Sequence, residues 1–445
     1  MTSIEELNPK PVVRRVCALC RMRLLSPALI GCSDDYESDR DVPVNTEGYP
    51  LIPGSTLAGI LRATLDTDEA NLLFGDSTNG KTKQSPLWIY DTIIKSKADF
   101  DAKPVRIITI DSVSLDENRR NAKEPTNPEL DHLNKTSKVG AKFDVQAVDT
   151  GAIFELRLML VIREGECSLE ALLKKLFSQM NNLYVGGKTS RGFGKLACEE
   201  IYSRAFDFTE NDKAKQLAQW LNFKNWSTLV SEEYKRSISQ ENKYSHLTAE
   251  LTIDGSVLVR DIYSIEEDED YAHTFNASKS VIYGTSWAGA IRSGLAKLLK
   301  SNGFDTNEKY LDSVFGRQYW NGQKYVTDPS KIRIDASYID GGKRIKYTRN
   351  KIDRFTGGAA TTALFTNRPQ FEGTCKLSVY FAKSDEAIKE LLLLAIEAIA
   401  KGLITLGGET SIGRGVFNVA KVFIDGKEIA FDGDKPELKK VICSG

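Results

Sequence analysis

With 445 residues, 41% of them hydrophobic and 27% charged, the chain is too long for one core and too mixed for a disordered or fibrous class, so two or three globular domains are expected. The 60 basic and 61 acidic residues leave a net charge of −1, which excludes a global basic footprint for nucleic acid; any polyanion site must be built from local clusters. Seven scattered cysteines exclude a disulfide framework, and a polar, acidic N-terminus together with an apolar run (Leu391 to Leu406) interrupted by Glu397 and Lys401 points to a cytoplasmic protein with no membrane span.

In chain order, the first signal is a strand over Val16 to Leu25, where Cys17 and Cys20 read as buried packing rather than metal ligands, since no second Cys or His pair stands at zinc spacing. An acidic loop follows, Asp34 to Asp41, then Val-Pro. Next comes Leu51-Ile-Pro-Gly-Ser-Thr-Leu-Ala-Gly-Ile-Leu-Arg62, an extended segment entering a helix that Ser55 or Thr56 would cap. The chain writes this stretch again as Val281 to Arg292, matching Gly54 with Gly284, Gly59 with Gly289 and Arg62 with Arg292 at a constant spacing of 230. A helix N-terminus of this kind can hold a phosphate on free N–H groups, or the glycine can serve close packing alone.

The rest of the unit also recurs, in one order. An aromatic-glycine pair (Phe74-Gly75; Phe315-Gly316) precedes a strand ending in an acid (Asp91; Asp335), a long polar excursion, a further strand, an amphipathic helix (Ser168 to Asn181; Ser384 to Lys401) and a glycine-rich turn (Gly186 to Gly194; Gly407 to Gly415). Five features kept in order with drifting spacing describe a duplicated domain with unequal loops. The order strand, helix, strand, strand, helix, strand predicts an α+β class with two tandem ferredoxin-like βαββαβ domains, over 1–203 and 246–445, joined by a helical connector over 204–245.

Three kinds of cluster carry chemistry. The turn at Gly186 invites comparison with a P-loop, but the pattern's first glycine would fall at Asn182 and the order of helix and strand is reversed. What remains is a set of backbone N–H groups with Lys188, Ser190 and Arg191 that could follow a polyanion; the second copy has Glu409 in place of Lys188, beside Thr410, Ser411 and Arg414. Basic residues interleave with tyrosine from Lys343 to Arg354, including Arg344, Lys346 and Arg349, as single-strand surfaces often show. Acids stand upstream of each repeated helix, at Asp39 and Asp41 and at Asp270, where a carboxylate can bind a divalent cation or withdraw a ribose proton; a solvated acidic loop is the alternative.

The Ile-Pro-Gly-Ser stretch, the Ser85-Pro-Leu strand ending at Asp91, a Lys-Phe-Asp strand at Lys142 to Asp144 and the terminal glycine-rich turn together resemble the RAMP superfamily of CRISPR-associated proteins. More narrowly they resemble the backbone subunits of type III effector complexes, and two copies in one chain resemble a fused double subunit of a III-D-like complex. The resemblance implies a subunit that binds a guide RNA (crRNA) among other effector subunits, with thumbs at Asp111 to Lys142 and Ile339 to Gly357 that kink guide and target RNA. It implies cutting of the target at Asp41, with Asp39 as its neighbour and Asp270 as the second-half counterpart, each with Mg2+ or Mn2+. The RNA-binding positions it implies, with the basic clusters above, are Gly54, Ser55, Thr56, Arg62, Lys188, Ser190, Arg191, Gly284, Thr285, Ser286, Arg292, Arg344, Lys346, Arg349, Thr410, Ser411 and Arg414. Two other readings stand beside it: a binding-only subunit without cleavage, and a metal-independent guide-processing endonuclease using His273 as general base.

Overall fold

β1 (Val12–Leu24) is the axis of the first half, with Val16, Ala18, Cys20, Met22 and Leu24 on one face and Cys17 and Leu19 on the other, so that apolar side chains leave it on both sides. A computed structural model describes residues 10–31, 42–76, 83–94, 107–113, 142–209, 212–237, 244–261, 269–276, 279–301, 308–321 and 325–429. After β1 come α1 (Gly54–Arg62), α2 (Thr67–Phe74), β2 (Leu87–Ile89), the paired β3 (Ile107–Val113) and β4 (Lys142–Val148), then β5 (Ile153–Arg163), α3 (Ser168–Ser178) and β6 (Leu196–Asp207). A connector supplies α4 (Lys213–Leu221) and β7 (Lys235–Arg236).

The second half repeats the sequence of elements: β8 (Tyr244–Asp254), α5 (Gly284–Ser301), α6 (Glu308–Phe315), β9 (Ile332–Ile334), a hairpin of β10 (Tyr347–Ile352) and β11 (Ala359–Arg368), β12 (Thr374–Ala382), α7 (Glu386–Ala400), β13 (Val416–Ile424) and β14 (Lys427–Ile429). The two main sheets have one strand order, β2-β5-β1-β6-β7 and β9-β12-β8-β13-β14, antiparallel throughout. The four strands β2-β5-β1-β6, and likewise β9-β12-β8-β13, follow the split βαβ order, as the sequence predicts.

Registers fix which residues correspond. Ile89 lies opposite Leu158 and Ile334 opposite Val379, while Arg23 lies opposite Ile153 and Thr252 opposite Thr374. Asp335 therefore occupies the place of Tyr90, not of Asp91 as the strand-ending acids suggest. The helices of each half seal one sheet face; Trp287 and Phe315 anchor the second core, with Trp287 Nε1 donating to Ser337 Oγ at 2.9 Å. The outer faces differ. In the first half Cys17, Leu19, Met159, Phe206 and Tyr202 carry a cover of Trp220, Phe223 and Trp226, whose rings meet one another and Phe206 and Tyr90 edge-on or stacked. In the second half His246, Thr248 and Tyr380 take the places of Cys17, Leu19 and Met159, and Lys195 of the first half donates to the Tyr380 hydroxyl at 3.1 Å. The expected boundary at 203 thus falls inside β6. The connector belongs to the first half, adding β7 to its sheet and its aromatic residues to that outer face.

The halves meet where the turn before β6 presses on β9. A Cβ on Gly192 would stand 2.4 Å from the Ile334 carbonyl oxygen, so only glycine permits this approach. Beside it Lys195 Nζ sits 2.5 Å from Asp335 Oδ2, Tyr184 donates to Asp335 Oδ1 at 3.1 Å, and Phe193 packs on Tyr283 with centroids 5.4 Å apart. Burial alone would lower the Lys195 pKa; the Asp335 charge, Tyr380 and the hydrogen bonds to both together outweigh it and the net direction is upward. Replacing Lys195 by Met leaves the Asp335 carboxylate inside the seam without its cationic partner, with the Tyr184 and Tyr380 hydroxyls beside it. A loss of about 3 kcal/mol is expected in urea unfolding, with earlier proteolysis between the halves, while Lys195→Arg retains most of the stability.

Candidate nucleic-acid interface

Both repeated helices begin at their glycine, Gly54 and Gly284. Pro53 occupies the N-cap position of α1 and no side chain caps it, so Ser55 and Thr56, like Thr285 and Ser286, lie in the first turn and not at the cap as the sequence suggests. Gly54 N–H donates to Asp91 Oδ1 at 2.6 Å, and a Cβ at Gly54 would stand 2.6 Å from the Ile89 carbonyl oxygen. The first free N–H of α1 is therefore taken by the protein's own carboxylate, whose charge opposes a phosphate there. Ser55 is exposed and lines a cleft of 360 Å³ with Gly54, Ala58, Arg62, Phe74 and Leu87.

Arg62 and Arg292 prove to be helix clamps. Arg62 donates to the Gly75 carbonyl at 3.0 Å and to Asn71 Oδ1, joining α1 to α2, and Arg292 pairs with Asp312 to join α5 to α6. Their recurrence follows from packing one helix pair twice, and each guanidinium is held by that packing.

The glycine turns share one backbone and carry opposite charges. Lys188 and Glu409 are both left-handed, with φ of 54° and 59°, and each leads into a single 3-10 turn, Thr189–Arg191 or Thr410–Ile412. Glu409 is drawn inward. It accepts from Asn367 Nδ2 at 2.9 Å and pairs with Arg349 and with Arg414 Nε, the latter at 2.9 Å. Arg414 is 5% exposed and also donates to Ser256 Oγ at 3.0 Å. Arg349 and Arg414 thus tie the thumb root to the turn, and the sequence signal for this was the acid standing where the first turn has Lys188. Ser411 is exposed at the turn's tip, Thr410, Lys188 and Ser190 are half-buried, and the Arg191 side chain lies outside the described residues.

The expected second thumb is a hairpin, and its outer strand runs on to Arg368, past the predicted end at Gly357. Lys343, Lys346, Lys351 and Arg354 are exposed along it, while Arg344 lies over the Phe275 ring at 3.8 Å. At its tip Asp353 Oδ1 accepts from Phe355 and Thr356 N–H groups at 2.9 and 2.7 Å and presents Phe355 at 99% exposure. The first thumb rises from the same place as a ladder from Ile107 opposite Val148 to Val113 opposite Lys142, and the stretch 114–141 lies outside the described residues.

Of the candidate carboxylates, Asp39 and Asp41 lie outside the described residues. Asp270 is exposed at the root of the second thumb, where its Oδ2 accepts from Thr366 N–H at 2.7 Å and its own N–H donates to the Thr366 carbonyl at 2.7 Å. Its neighbour Glu269 is committed to Arg368 at 2.5 Å. Among the described residues no three His, Cys, Asp or Glu side chains converge on one point.

A family model describing the RAMP superfamily matches residues 21–197 and 271–418, well over half of the chain and one stretch in each half. The chain belongs to the RAMP superfamily. A curated relative, the CRISPR system Cms endoribonuclease Csm3 of Streptococcus thermophilus, is 26% identical over 207 residues, covering 41% of this chain and 86% of the relative. A solved structure titled as the type III-B Cmr-beta bound to cognate target RNA aligns with a TM-score of 0.33 at 14% identity, over 43% of this chain and 61% of that one. No helix among the described residues of this RAMP protein is long and apolar enough to cross a membrane.

His273 does not occupy a surface site in this RAMP fold. It is 0% exposed and its Nδ1 accepts from Val259 N–H at 3.0 Å. Burial, with the Arg344 charge second, lowers its pKa to about 3. A general base needs access to a ribose hydroxyl, and this ring has none. Its depressed pKa makes the unfolded chain the stronger proton binder between about 6.5 and 3, so stability is full above the upper value and falls on acidification through that window, by up to about 1.4 kcal/mol per pH unit. Melting from neutral to mildly acid pH is expected to show this slope in the native protein and a shallower one in His273→Gln.

Proposed function

We infer that this chain is a double backbone subunit of a type III CRISPR ribonucleoprotein, holding a guide RNA and exposing its base-paired target RNA to cleavage. The observation that carries the reading is one RAMP unit present twice, each with a hairpin rising at the same place, the second ending in an exposed aromatic ring among basic side chains. The similarity to an endoribonuclease supports the catalytic part.

In this reading sequence choice belongs to base pairing, and the protein follows backbone shape. Lys343, Lys346, Lys351 and Arg354 track phosphates, and Phe355, held by Asp353, enters the stack and turns one target nucleotide outward. Its 2′-oxygen then attacks the adjacent phosphorus and the bond to the 5′-oxygen breaks, the departing oxygen taking a proton from water, giving a 2′,3′-cyclic phosphate and a 5′-hydroxyl. In the first half Asp41 takes the hydroxyl proton; a Mg2+ or Mn2+ ion held there would stabilise charge on the phosphoryl oxygens. A binding-only reading draws support from Asp270, whose carboxylate is engaged by Thr366 N–H.

Cuts mapped on labelled target decide between them. Asp41→Ala is expected to remove one cut with guide affinity unchanged, and unaltered cutting in both Asp41→Ala and Asp270→Ala would establish the binding-only reading. Phe355→Ala is expected to abolish the fluorescence rise of a 2-aminopurine at the displaced position, and Phe355→Trp to keep it. Each of Lys346→Ala and Lys351→Ala should reduce the salt slope of RNA affinity by about one and leave sequence preference untouched.

A further inference from the structure

Three consecutive residues at the end of β11 each hold a carboxylate from another segment. Thr366 N–H donates to Asp270 Oδ2 at 2.7 Å, Asn367 Nδ2 donates to Glu409 Oε1 at 2.9 Å, and the Arg368 guanidinium reaches Glu269 Oε1 from Nε at 2.6 Å and from Nη2 at 2.5 Å. The Glu269 side chain is 0% exposed and that of Arg368 19%, so this pair lies inside the thumb root rather than on its surface. Asp270 comes next in the chain. Its N–H donates to the Thr366 carbonyl at 2.7 Å, and the residues after it run parallel to β11, Tyr271 opposite Asn367 and Ala272 opposite Arg368. Asp270 itself is exposed, with Oδ2 taken by Thr366 and Oδ1 meeting no donor among the described residues.

We propose that Arg368 is a positioning residue for cleavage in the second half: gripping Glu269, it fixes the Asp270 carboxylate on the strand that carries the thumb. The inference rests on the reading of Asp270 as the second-half counterpart of Asp41. The backbone bonds to Thr366 hold Asp270 at one point, and the guanidinium fork on the preceding side chain stops the loop from turning about that point. The exposed Oδ1 then takes the proton of a target 2′-hydroxyl as its oxygen attacks phosphorus, and the departing 5′-oxygen takes a proton from water. Arg368 touches none of these atoms. Its effect is on where the carboxylate stands relative to the hairpin that engages the target, and a shift of about 1 Å there costs roughly a hundredfold in rate.

Single-turnover cleavage of labelled target by the guide-loaded complex tests this. Arg368→Met keeps the apolar stem and removes both bonds to Glu269; it is expected to slow the cut that Asp270→Ala removes by about a hundredfold, with the Asp41 cut and the affinities for guide and target unchanged. Arg368→Lys keeps the charge without the fork and should recover that cut to within about tenfold of wild type. A role in folding alone would lower the yield of assembled complex and leave the rate constant of what assembles unaltered. Where Arg368→Met does not assemble, Glu269→Gln keeps the shape of the buried side chain and is expected to slow the same cut by about tenfold. A cut lost in Asp270→Ala yet unslowed in these variants, or equal slowing of the Asp41 cut, would overturn the inference and leave the reading of Asp270 standing. Cutting that is absent, or unchanged by Asp270→Ala, would overturn the two together.

Discussion

Backbone pressed on backbone at the two glycine-rich turns is the contact from which the rest of the molecule is hung. A Cβ on Gly194 would stand 1.8 Å from the Val185 carbonyl oxygen, and one on Gly415 would stand 1.9 Å from that of Leu406. No side chain fits at either point, so each turn is locked against the chain that precedes it and delivers the last strand, β6 or β13, beside β1 or β8. The turns have the appearance of phosphate cradles. Their first use is closure of the sheet, and whatever they bind is built on that closure.

With the backbone fixed, charge is free to diverge. Lys188 and Glu409 occupy one left-handed position; the acid folds inward onto Arg349, Arg414 and Asn367 and joins the second thumb to its own turn. On the sheets the same freedom decides what is covered. Cys17 and Leu19 need the aromatic connector over them, whereas His246 and Thr248 tolerate solvent, and His246 stacks on Tyr380 with centroids 4.2 Å apart. Burial is the first cause lowering the pKa of that histidine, and the neighbouring Lys195 charge adds to it. Each difference arises at a position where the fold constrains the main chain and leaves the side chain open.

Recurrence also marks the residues that hold the repeat together. Arg62, Arg292 and Gly54 recur because helix pairs must be joined and a helix must start against a strand carbonyl. Their repetition is a packing signal. On the second hairpin Lys346, Lys351 and Arg354 are exposed around Phe355.

By itself the sequence determined the duplication, the strand and helix order of each half, the place of the second thumb and the superfamily, because hydrophobic period, glycine spacing and turn chemistry are local properties that survive without coordinates. Only the tertiary structure decided that Asp335 stands in the place of Tyr90, that the connector seals the first sheet, that Arg414 and His273 are buried, and that Asp91 holds the α1 N-terminus. Those outcomes depend on partners far away in the chain. Asp91 meets Gly54, Lys195 meets Asp335 and Glu409 meets Arg349 only once helix, strand, turn and hairpin have packed together, and a charge read along the chain carries no mark of the group that will reach it.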